Sequence, residues 1–283
     1  MKKLTFVLSL SLILTACGGL RGKSNLVPPA PINPSVVSTS QVDWSVKAGA
    51  ATEKGADLRF EIAEDNMGTL YIAGSSGGVA AINSATGQKL WERNVGKLYS
   101  GITYQDGVLL VGRKDGHLAA LSANTGEILW TRKLLGVPAA TPISDGRLAI
   151  IRTLAGVVET FDLHSGEPAW AYLMNAPELT LRGGAAPAIA GDRLIIPGEL
   201  GRLAAVTLQH GEELWEIVLS NPKNASFSGR LRDIDAPLII TPRHIFAGEL
   251  RAGVSAITHN GEILWQAGEG VYSGMAFDGD TIY

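Results

Sequence analysis

The sequence predicts an all-β protein, a propeller of four-stranded blades. Three observations carry the prediction. A unit of about forty residues recurs along the chain. Each copy ends with a glycine four residues before a tryptophan: Gly87, Gly126, Gly166, Gly211 and Gly261 precede Trp91, Trp130, Trp170, Trp215 and Trp265. No stretch of ten residues or more shows helical spacing of its apolar positions. Composition agrees, with 46% apolar residues, only 18% charged residues and 34 glycines among 283 residues, which is enough apolar content for a core and many turns.

The first residues read as an address. Lys2 and Lys3 precede the apolar run Leu4 to Leu14, which is too short to span a bilayer. Leu14-Thr15-Ala16-Cys17 follows, and Cys17 is the single cysteine of the chain. This resembles a bacterial lipobox, which implies a signal peptide over residues 1–16 and acyl chains on Cys17. Several acyl chains hold a protein stably on a membrane where one does not. Gly18 in place of aspartate favours the outer membrane by the same analogy. Residues 17–40 then read as the lipidated cysteine and a tether. Pro28, Pro29, Pro31 and Pro34 keep the tether extended, with a reach of about 75 Å at ~3.3 Å per residue.

The propeller is expected over residues 41–283. GGVAAINSATGQKLW (77–91), GHLAALSANTGEILW (116–130) and GRLAAVTLQHGEELW (201–215) are close copies. Residues 156–170 and 253–265 are looser ones: Glu159 and Thr160 replace the usual Ala-Ala in the first, and the turn is one residue shorter in the second. Upstream of each copy lies another apolar run opened by a turn pair, such as Asp106-Gly107, Asp145-Gly146 or Gly191-Asp192. These pairs supply the positive φ that tight hairpins need. In the second unit the strands are expected at 100–104, 107–112, 117–122 and 127–133. The tryptophans read as blade packing. Trp44 has no repeat before it and reads as an outer strand lent to the last blade. Residues 277–283 resemble the opening of a sixth blade, which predicts on the order of 100 further residues in an intact ring at ~40 per blade.

Chemistry-bearing motifs are few. His164, His210 and His259 occupy turn positions expected to be solvated, His117 and His244 open strands, and no His/Cys ligand spacing, nucleophile elbow or phosphate loop occurs. No catalytic, cofactor or metal site is expected. A net charge of −3 without a basic run gives no footing for nucleic acid. The informative variable is the connection that follows each tryptophan. It is 15 residues from Trp91 to Asp106 and from Trp130 to Asp145, but 21 from Trp170 to Gly191 and 27 from Trp215 to Pro242. Two neighbouring blades thus carry longer loops on one rim, where recognition is usually placed. The first loop contains Pro177-Glu-Leu-Thr-Leu-Arg-Gly183 and the second Gly229-Arg-Leu-Arg-Asp-Ile-Asp235. In an extended segment Leu179 and Leu181 share a side; so do Asp233 and Asp235, with Ile234 turned away.

The repeat, over residues 41–283, resembles the PQQ-like (pyrroloquinoline-quinone type) propeller repeat. The lipobox, the proline-rich tether and the two loops together resemble the BamB family of the outer-membrane β-barrel assembly machinery. That resemblance implies an eight-bladed propeller, of which the 283 residues hold about five blades and part of another. It implies a non-enzymatic lipoprotein in the outer membrane, facing the periplasm. Its partners would be the periplasmic polypeptide-transport-associated domains of BamA, with unfolded outer-membrane proteins as clients, and it would aid their insertion. On this reading Leu179, Leu181, Arg182, Asp233 and Asp235 form the partner-binding surface, the aspartates pairing with Arg182 or accepting hydrogen bonds from the partner. The competing expectations are a quinone-dependent dehydrogenase and a propeller that binds glycans or peptides. The first needs a calcium site that no carboxylate cluster suggests.

Overall fold

A computed structural model describes residues 41–47, 62–174, 185–219, 233–249, 253–268, 270–271 and 274–283. The chain divides into Met1–Asp43, of which residues 41–43 are described, and Trp44–Tyr283. Among the described residues the second unit holds five four-stranded antiparallel sheets, each with its strands in sequence order. Blade 1 is β1 (Ala63–Glu64), β2 (Thr69–Ala73), β3 (Gly78–Asn83) and β4 (Lys89–Asn94). Blade 2 is β5 (Leu98–Gln105), β6 (Val108–Arg113), β7 (His117–Ser122) and β8 (Ile128–Lys133). Blade 3 is β9 (Ile143–Ser144), β10 (Leu148–Arg152), β11 (Val157–Asp162) and β12 (Pro168–Leu173). Blade 4 is β13 (Ala188–Ala190), β14 (Arg193–Pro197), β15 (Arg202–Thr207) and β16 (Glu213–Val218). Blade 5 is β17 (Ile239–Ile240), β18 (His244–Glu249), β19 (Gly253–Thr258) and β20 (Ile263–Ala267).

The second and third strands of blades 2 to 5 are buried on both faces, so they read as continuous apolar runs. Their alternation sends neighbouring side chains into two different cores. Leu109 and Val111 of β6 pack toward blade 1, while Val108 and Leu110 pack toward blade 3. Blades 3 and 4 close over Ile150, Val158, Leu194 and Val206. Blades 4 and 5 close over Ile195, Leu203, Ile245 and Ile257. The alanine pairs are small because blade packs on blade there: Ala80, Ala81, Ala119, Ala120, Ala204 and Ala205 are fully buried.

Tryptophan and glycine join the blades. In each case the indole lies over the turn glycine of the next blade, and its N–H donates to a carbonyl beside that turn. Trp91 Nε1 donates to Ala123 O at 2.8 Å, Trp130 to Leu163 O at 2.9 Å, Trp170 to Leu208 O at 3.1 Å and Trp215 to His259 O at 3.0 Å. A Cβ at Gly126 would stand 2.6 Å from Trp91, and one at Gly211 2.4 Å from Trp170. The glycine at these turns thus serves both its positive φ and the ring above it. Trp44 makes the same contact with Gly87 and donates to Ser84 O at 2.9 Å, although residues 44–47 form no strand. Glu159 and Thr160 are accommodated by local hydrogen bonds: Thr160 Oγ1 bonds the backbone of Trp170 within blade 3, and Glu159 Oε2 accepts from Leu135 N of the connection from blade 2 at 2.8 Å.

Candidate functional site

The second strand of each blade runs toward the rim that also carries the blade-to-blade connections. That rim is where buried polar groups collect. Arg152 ends β10 and Glu199 follows β14, and their side chains form an ion pair between blades 3 and 4, only 3% and 7% exposed. Within this pair Arg152 Nη1 and Glu199 Oε2 make no hydrogen bond. A buried pair of this kind seldom adds net stability, because desolvation cancels much of the attraction. What it does is fix position. Glu199 opens the short 3-10 turn Glu199–Gly201, and the next residue, Leu200, has φ 57°. Leucine is disfavoured in this left-handed region. The Leu200 N–H donates to Asp233 Oδ1 at 3.1 Å.

The two long connections meet here. Ala185 N, near the end of the first, donates to Ile234 O of the second at 3.0 Å. Ile234 is buried in the core between blades 4 and 5 and bridges to Glu249 at the end of β18. Glu249 is itself fully buried. Asp235 is half-buried. Asp233, which the resemblance assigns to the partner-binding surface, is 3% exposed in the structure. The reason is that its carboxylate answers a backbone N–H that the left-handed turn leaves without a helical or sheet partner. Leu179, Leu181 and Arg182 lie outside the described residues, as does Cys17. The ion pair and the Leu200 turn had no sequence signal, since Arg152 and Glu199 stand 47 residues apart and neither belongs to the repeat.

On the same rim Leu135 and Leu173 are exposed, at 71% and 65%. Burial pushes the Glu159 carboxyl above its ordinary range, opposed by the hydrogen bond from Leu135 N. The opposite rim carries an open groove of about 520 Å³ between blades 4 and 5, lined by Ile189, Arg193, Ile240, Thr241, Pro242 and His259. Its polar groups are engaged: the Arg193 guanidinium bonds His259 O and Asn260 Oδ1, and the His259 ring bonds Thr241 O at 2.9 Å. His259 is therefore part of the blade 4–5 junction and not a solvated turn residue. The donor chemistry of the described residues does not fit a quinone with its calcium ion. Among the described residues no three His, Cys, Asp or Glu side chains come together as a ligand group, and the single cysteine is Cys17.

Fold and rim together define a repeat propeller of the PQQ-like class with its polar junction at blades 3 to 5. A family profile described as "Outer membrane protein assembly factor BamB" matches residues 75–283. The chain is 32% identical over 293 residues to the assembly factor BamB of Vibrio cholerae, covering all of this chain and 75% of that one. It is 30% identical over 277 residues to the BamB of Burkholderia pseudomallei, covering 96% of this chain and 70% of that one. The chain belongs to the BamB family. Among solved structures, BamB from Moraxella catarrhalis superposes with a TM-score of 0.73 at 22% identity, over 83% of this chain and 71% of that one. The quinohemoprotein alcohol dehydrogenase of Comamonas testosteroni superposes with a TM-score of 0.59 at 16% identity, over 72% of this chain and 42% of that one, a likeness of fold alone.

Proposed function

We propose that the protein is a non-enzymatic scaffold lipoprotein of the outer-membrane β-barrel assembly machinery. It is held in the outer membrane through acyl chains on Cys17 and faces the periplasm. It docks on the periplasmic polypeptide-transport-associated domains of BamA through the connection rim of blades 3 to 5 and so assists insertion of β-barrel proteins. The observation that carries the reading is the meeting of the two long connections through Ala185 N and Ile234 O. It brings together Ala185, which follows the PELTLRG segment by two residues, and Ile234 of the GRLRDID segment, as a composite surface requires. Leu179, Leu181 and Arg182 supply the contacts on the first loop, where burying one leucine contributes about 1.5–3 kcal/mol. Asp235 supplies a carboxylate on the second, suited to a basic group of the partner.

The test is pull-down of BamA's periplasmic domains with Arg182→Glu and with Asp235→Ala, each checked for folding by circular dichroism. Both are expected to fold and to lose binding. Wild-type binding by both folded variants would place the surface elsewhere. In parallel, Cys17→Ser is expected to leave the membrane fraction or remain unprocessed; normal retention after alkaline extraction would refute the anchor.

A further inference from the structure

We propose that Leu200 is a contact residue at the centre of the docking rim, held in place by Asp233, Glu199 and Arg152 as positioning residues. The inference rests on the proposed docking to BamA's periplasmic domains and deepens it.

Three features of the Glu199–Gly201 turn point the same way. First, Leu200 is one of only two non-glycine residues with positive φ among the described residues, and it is 37% exposed. The other, Asp106, is a polar residue in a tight hairpin turn, where such a conformation is common. An exposed leucine gains nothing for folding from a left-handed backbone, and such strain persists only where the surroundings over-determine it. Second, three chain segments do so. Arg152 of blade 3 grips Glu199, Gly201 O accepts from Leu219 N at the end of blade 4, and Asp233 of the connection into blade 5 holds the Leu200 N–H. Third, the same connection that supplies Asp233 carries Ile234, which ties the two long loops together. Leu200 therefore sits on a turn held directly by Asp233 of the second connection and linked through Ile234 to Ala185 at the end of the first, and an apolar side chain held rigid at such a junction is how a small hot spot is built. The occupant this fits is an apolar patch of the partner domain that engages the two loops.

The experiment measures the affinity of the full chain for purified BamA periplasmic domains, with Tm determined for every variant. Leu200→Asn suits the left-handed backbone and removes the apolar side chain. Burial of the part of Leu200 still open accounts for roughly a threefold to sixfold loss; a polar amide against an apolar partner raises the expected loss to about tenfold. Tm is expected to hold or rise. Asp233→Asn keeps an acceptor for the Leu200 N–H and is expected to bind within about twofold of wild type. Asp233→Ala is expected to bind about tenfold more weakly, with faster hydrogen exchange at the Leu200 amide. If Asp233 touched the partner directly, the asparagine variant would lose binding as well. Wild-type affinity of Leu200→Asn overturns the proposal while leaving the docking reading intact. A fall in Tm for that variant also overturns it, because Leu200 would then serve the fold. If the wild-type chain fails to bind, the docking reading falls first and takes this inference with it.

Discussion

Gly126 and Gly107 offer a controlled comparison of what joins one blade to the next. Both have positive φ, +71° and +79°, so alanine at either position meets the same backbone cost. That cost is about 1–2 kcal/mol, reduced by about 0.4–1 kcal/mol through the smaller entropy of the unfolded chain. Around Gly107 nothing lies within 4 Å of an added Cβ, whereas at Gly126 it would stand 2.6 Å from Trp91 Cε3 and 2.8 Å from Arg93 Cγ. The indole must move. Overpacking of this kind costs about 1–3 kcal/mol, and loosening the Trp91–Ala123 hydrogen bond costs about 1 kcal/mol more. Gly126→Ala is therefore expected to lose about 2–4 kcal/mol beyond Gly107→Ala. Urea denaturation followed by tryptophan fluorescence reads the difference at constant m. In a Trp91→Ala background most of the excess should disappear, leaving only what the Arg93 Cγ contact costs, since the ring that Cβ strikes is gone. Equal losses for the two alanine variants, or an excess undiminished without Trp91, would refute the account of blade joining.

Two further outcomes follow from the buried polar groups. The folded pKa of Glu159 is raised above its ordinary 4.5 by burial, so the fold favours the protonated acid; that stabilisation is complete below 4.5 and is lost as pH rises through the folded pKa. Glu159→Gln, which keeps an acceptor for Leu135 N, should melt above wild type at pH 7, with the gap closing toward pH 4; a gap that is independent of pH would contradict the assignment. Glu199→Ala leaves Arg152 buried without its partner and should cost about 3–5 kcal/mol, whereas the double change Arg152→Met with Glu199→Leu should lie within about 1 kcal/mol of wild type. Equal costs for single and double variants in chemical denaturation would show that the pair does not act as a unit.

The parts of the fold that were legible are those where geometry demands one residue type at a fixed offset. The turn glycines must be glycine for φ and for the ring above them, the alanines must be small, and the tryptophans must reach the next blade. The second unit's strands, expected at 100–104, 107–112, 117–122 and 127–133, fall on β5 to β8 with small shifts at their ends. The innermost strands β1, β9 and β17 are two residues long, too short to leave a periodic signal. The site was legible in outline, because connection length is visible in the spacing of the tryptophans. Its internal order was not. Arg152 reads as an ordinary strand-end cation and Glu199 as a loop acid; only the meeting of blades 3 and 4 pairs them. Alternation put Asp233 and Asp235 on one side and Ile234 on the other, and Ile234 is indeed buried. Alternation could not show that Asp233 would be drawn inward by the amide of Leu200, a residue of another blade.

The central claim is that the connection rim of blades 3 to 5 meets BamA. The most direct measurement places a photoreactive amino acid in turn at Leu179, at Leu200 and at Asp192, which is exposed on the opposite rim, and analyses crosslinks in intact cells. The account predicts crosslinks to BamA's periplasmic domains from Leu179 and Leu200 and none from Asp192. Crosslinks from Asp192 with none from the other two positions would contradict it.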